Sequence, residues 1–171
     1  MLLALSVALK VSAMALLARI GWDDLVEQRI ANRDVLILLG LGSGLLALAW
    51  FGAGSQSDVF IAAGASLALF CLLIPFWLMR KIGAGDVKLL AVAPIISGAP
   101  DLALFSVLLL VTTVLTAVAV KNPLLLPEGV FRGYVLMMDR KGVVPFGVPI
   151  SAALIGVLLL QVARALGAYQ G

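Results

Sequence analysis

Apolar stretches close to the length of a bilayer recur along the whole chain, and they leave few folds open. A helix needs about 20 predominantly apolar residues to cross the hydrocarbon core. In lipid each backbone amide and carbonyl must find its partner within the protein, so such stretches become helices. Six are read here: Leu2 to Gly21, Val35 to about Ala53, Val59 to Met79, a short fourth opening at Gly83–Asp86 and ending by Ser97–Pro100, Leu102 to Val120, and a sixth from near Pro145 to about Ala165. The expected fold is all-α, a polytopic integral membrane bundle of six transmembrane helices, with residues 1–171 forming a single membrane-embedded domain.

Composition agrees with that reading and excludes several functions. Hydrophobic residues make up 63% and charged residues 12%, against roughly a quarter charged in soluble domains. The net charge of +3 is spread over connections between apolar segments. It is better explained by topology than by a nucleic-acid partner. The absence of histidine removes histidine acid–base chemistry and the usual zinc-hydrolase ligand sets. The one cysteine, Cys71, lies in an apolar run and reads as packing. No cofactor or metal is expected. The first residues lack the basic start of a cleaved leader, and Lys10 interrupts their apolar run, so a retained first helix is expected. Lys10 itself should snorkel or find a partner in the bundle.

The connections set the orientation. Trp22 to Arg33 reads as a polar connection, with Asp34 as the cap of the second span. Lys121 to Lys141 is the long hydrophilic connection, with an apolar patch suited to an interfacial helix. Arg29, Arg33, Arg80, Lys81, Lys121, Arg132, Arg140 and Lys141 all follow odd-numbered spans, whereas Arg164 stands near the opposite end. The positive-inside rule places the odd-numbered loops in the cytoplasm and both termini outside.

This topology brings Asp24, just past the first span, and Asp86, at the start of the fourth, to one side at similar depth. Ionisable residues at a membrane edge are functional suspects. Two close carboxylates share a proton, which lets one activate water while the other protonates the substrate. Peptide hydrolysis needs no more than that. Other readings stand beside it. Asp86 suits a helix N-cap, Asp23 and Asp24 suit a solvated interface, and Gly83 and Gly85 suit tight helix packing or close passage of a substrate backbone. Lys88 either snorkels or favours ionisation of a nearby aspartate. A transporter using Asp86 and Lys88 as an ion site, or a scaffold without chemistry, are the rival functions.

Gly83-Ala84-Gly85-Asp86-Val87-Lys88 resembles the GxGDxK signature of the type IV prepilin peptidases, which are membrane-embedded aspartic peptidases. Asp24 through Asn32 is similar to that family's first aspartate site, with Ala31 in place of a proline. Val144-Pro145-Phe146-Gly147 resembles the Pro-Tyr-Gly that opens the last helix. The resemblance implies that Asp24 rather than Asp23 pairs with Asp86 in catalysis. Asp23, Glu27, Gly83, Gly85 and Lys88 are then candidate substrate contacts.

It also implies removal of leaders from prepilin and pseudopilin substrates at the cytoplasmic face of the bacterial inner membrane. The chain is most similar to the short class associated with Flp pili. Neither the cysteine-paired cytosolic segment nor the N-methyltransferase activity of longer members is expected. The topology can be checked in a Cys71→Ser background. A thiol introduced by Gln56→Cys should react with an impermeant maleimide in intact cells, and one introduced by Lys81→Cys only after lysis. The reverse pattern would invert the bundle.

Overall fold

The computed structural model describes residues 2–52, 55–122 and 146–170. Six α-helices make up nearly all of them: α1 (Leu2–Glu27), α2 (Asn32–Phe51), α3 (Gln56–Leu78), α4 (Ala84–Ser97), α5 (Leu102–Lys121) and α6 (Gly147–Gln170). A 3-10 turn at Ala99–Asp101 leads into α5. Five of the helices are long and apolar enough to cross a membrane. The exception is α4, whose 14 residues reach only about 21 Å against a hydrocarbon core of about 30 Å. Gly98, at φ 72°, ends it in a conformation that glycine adopts at no steric cost.

The helices form one bundle in which α1 lies along α6, α6 along α5, and α4 sits among α2, α3 and α6. Being enclosed, α4 is apolar nearly all round, and Leu89, Ala93, Pro94 and Ile96 are buried. The longer helices turn Leu67, Leu110 and Leu115 outward. Lipid tails are as apolar as leucine, so burial adds little between membrane helices, and close packing has to hold them together. Small residues mark the contacts accordingly. A Cβ on Gly21 would touch Ser151, and one on Gly42 would come within 2.9 Å of both Ile95 and Ile96.

Two expectations change, and a third lies beyond the described residues. The first helix does not stop at Gly21 but continues through Trp22–Glu27. Nothing in that segment breaks a helix, and Asp24 and Leu25 extend the buried face rather than entering solvent. The cap of α2 is Ala31, without a side-chain hydrogen bond, so the helix begins at Asn32. Asp34 does not cap it; it lies buried in the first turn. The interfacial helix expected within Lys121–Lys141 falls outside the described residues beyond Asn122.

The core is shared by Leu17 and Ile20 of α1, Leu38 of α2, Leu89 of α4 and Leu154 of α6. Leu154 has no exposed surface. Leu154→Ala should therefore cost about 2 kcal/mol or more through the cavity it leaves, read as a lowered unfolding midpoint in detergent.

Candidate active site

Helical spacing decides which of two adjacent acids enters the bundle. Ala13, Leu17, Ile20 and Asp24 recur at intervals of four, three and four, so they form one stripe, and all four are buried. Asp24 is 5% exposed. Asp23, a step of about 100° away, faces outward and pairs with Arg19 at 3.5 Å.

Asp24 lies in the last turn of α1, where the helix dipole presents its negative end and disfavours another negative charge. The start of α6 offsets this. The Gly147 amide donates to Asp24 Oδ2 at 2.8 Å, and the Val148 amide also reaches the carboxylate. A helix amino terminus is well suited to an anion. The approach requires glycine: a Cβ at position 147 would stand 2.7 Å from Asp24 Oδ2 and 2.9 Å from Ile30 Cδ1.

Asp86 enters from the other side, in the first turn of α4. Gly83 is the N-cap, so Asp86 is the third helical residue, from which an acidic side chain can reach back to the cap amide. Two turns close the pocket. Gln28, at φ 54°, ends α1 and sends residues 28–30 across the opening. Gly85 lets α4 press against that crossing, because a Cβ there would lie 2.8 Å from Ile30 Cβ.

The result is a cavity of about 250 Å³ lined by Asp24, Gln28, Arg29, Ile30, Gly83, Ala84, Gly85 and Asp86. Burial, and then the charge of Asp24, push the Asp86 carboxyl up to about 6, with the Gly83 amide pulling the other way. Like charges in a confined pocket resist double ionisation, so the pair favours a state that keeps one proton.

Of the expected contacts, Gly83 and Gly85 line this cavity, whereas Asp23, Glu27 and Lys88 do not. Glu27 is exposed on the end of α1. Lys88 is two residues, or about 200°, round α4 from Asp86. It donates to Asn32 Oδ1 at 2.8 Å. The Asp86–Lys88 pair that an ion pathway would use is thus divided between opposite faces of one helix. Gly147, Ile30, Gln28 and Arg29 were not among the expected site residues. The Pro-Phe-Gly motif was the available signal for Gly147, but as a helix start rather than as a hydrogen-bond donor. Among the described residues, no three His, Cys, Asp or Glu side chains gather as a metal site.

An apolar helical bundle with two carboxylates opening on one small cavity at its end defines a polytopic membrane protein with an acid pair at its edge. The sequence profile of the type IV leader peptidase family matches residues 11–121, and the chain belongs to that family. The match includes both Asp24 and Asp86 and stops short of Gly147. No curated protein and no solved structure matches the chain. Family membership supports a membrane peptidase acting on prepilin-type leaders.

Removing the charge at position 24 should lower the Asp86 pKa from about 6 while leaving it above the ordinary carboxylate range, since burial persists. Carboxyl NMR or the infrared C=O stretch of Asp24→Asn would read the shift. An unchanged value would mean that the two groups do not interact.

Proposed function

We propose that this protein is an aspartic endopeptidase that removes the leaders of Flp-type prepilins and pseudopilins, with Asp24 and Asp86 as its catalytic pair. The whole chain, residues 1–171, acts as one membrane-embedded peptidase domain. The observation that carries this reading is the opening of both carboxylates on the same cavity of about 250 Å³. Arg29, Arg33, Arg80, Lys81 and Lys121 all stand in or beside the connections at that end of the bundle, which supports a site at the cytoplasmic face of the bacterial inner membrane.

In the proposed mechanism Asp24, held by the Gly147 amide, acts as the base, and Asp86 holds the shared proton. Asp24 takes a proton from water as the oxygen attacks the scissile carbonyl carbon. Asp86 gives its proton to the carbonyl oxygen, forming a tetrahedral diol. Asp24 then passes its proton to the amide nitrogen, Asp86 recovers one from the diol, and the C–N bond breaks to release an acid and an amine. The pair ends as it began. A substrate that displaces water from the cavity raises the Asp86 pKa further, toward cytoplasmic pH, so binding itself helps set the working protonation state.

Co-expression with a short prepilin tests the assignment. Asp24→Asn and Asp86→Asn should each slow leader removal by at least 10²-fold, the lower range for a positioned acid or base, with helical content unchanged by circular dichroism. Trimming by either single variant at the wild-type rate would end the dyad assignment.

A further inference from the structure

A second cavity lies on the opposite face of α4 from Asp86. There Lys88, Ala91, Val92 and Ile95 form a stripe at helical spacing. α2 and α3 flank the stripe but touch each other sparingly, and the space between them is a groove of about 580 Å³. Leu39, Leu67, Phe70 and Ile95 make its walls apolar. A hydroxyl in its floor, that of Ser66, is already satisfied by the Ala91 carbonyl. From Lys88 to Ile95 the groove runs about 10 Å along α4, or two helical turns.

Its mouth adjoins the acid cavity. Asn32 and Lys88, bonded to each other at 2.8 Å, form its rim. Each is two residues from a member of the acid cavity, Ile30 and Asp86 respectively. The same two segments, 28–32 and 83–88, therefore bound the cavity with the carboxylates and the groove that runs into the bilayer. A chain leaving Asp86 and crossing the start of α4 would meet this rim next. Lys88 sets which part of that chain enters. Its ammonium forms no ion pair with a carboxylate among the described residues, so it repels a cationic segment and admits an uncharged or acidic one. The apolar walls and the lysine at the mouth together suit an uncharged, apolar segment of a substrate.

We propose that the groove between α2, α3 and α4 is the docking site for the apolar, membrane-embedded segment of the peptide substrate. It holds that segment beside α4 while the bond to be cut lies over Asp86. This inference rests on the peptidase reading above and adds the surface by which a membrane-bound substrate is chosen over a soluble one.

The test uses the full chain in nanodiscs with two substrates: an intact prepilin, and a soluble peptide that spans the cleavage site but lacks the apolar segment. Ala63, on the α3 wall, is exposed, so Ala63→Phe narrows the groove without entering the core. Ala63→Phe should lower kcat/KM for the intact prepilin at least tenfold and leave cleavage of the soluble peptide unchanged. A photoreactive side chain at Leu67 should form an adduct with the prepilin, whereas one at Leu115, equally outward-facing on α5, should not. Adducts with lipid alone at Leu67, equal prepilin adducts at both positions, or equal slowing of both substrates by Ala63→Phe would overturn the docking site. A wild-type protein that cleaves neither substrate would instead overturn the peptidase reading. Cleavage of the intact prepilin without an adduct at Leu67 sinks the groove alone.

Discussion

The hydrogen bond from the Gly147 amide to the Asp24 carboxylate joins the two most distant long helices of the chain at the point where both end or begin. A buried carboxylate at the negative end of its own helix is costly without a donor. The first turn of α6 supplies one, which fixes how far α6 can slide along α1. Below that point the pair packs side by side, with Gly21 against Ser151 and Leu17 and Leu154 in the shared core. The two helices are thereby held in register by a polar contact and in depth by shape.

Within that frame α4 has a double role that follows from its shortness and its two unlike faces. Too short to cross the bilayer, it starts inside the bundle end, where its first turn can carry Asp86 toward Asp24. One face turns Asp86 to the acid cavity and Leu89 and Ala93 to the core. The other turns Lys88 and Ile95 to the groove between α2 and α3. Gly85 makes this possible by letting the helix start press against Ile30. A larger residue there would lift α4 away from the segment that closes the acid cavity.

Polar groups are divided between the two ends of the bundle, and the ends differ in kind. At the end away from the acids, Asp101 accepts from Gln161 at 2.8 Å and from Arg164 at 2.9 Å, while Gln161 also reaches the Ser97 carbonyl at 2.7 Å. Lys10 lines a cavity there together with Asp101, Gln161 and Arg164. These bonds tie α4 and the start of α5 to α6, and they offset polar groups against one another. At the acid end two like charges are set together and left to share a proton. The first arrangement stabilises the bundle, whereas the second is the pair to which we assign the catalysis.

Much of this was legible in the order of residues. Apolar length alone determined the helical, membrane-spanning class, because lipid leaves backbone groups no other partners. The two aspartates and their glycines were legible too, since charge beside apolar runs is costly enough to stand out. The run of α1 past Gly21 was missed because polarity suggested a connection, while helix continuation depended on burial of Asp24 and Leu25 by α6. Gly147 was read as the opening of a helix; its role as a donor to a residue 123 positions away needs the fold. Lys88 looked like a neighbour of Asp86 because it is two residues distant, yet that spacing on a helix sends the two side chains to opposite faces. Local sequence thus determined which segments are helices and which residues are costly to bury. Tertiary packing alone decided which of those residues meet, because meeting depends on helix rotation and depth, and these are set by contacts between distant segments.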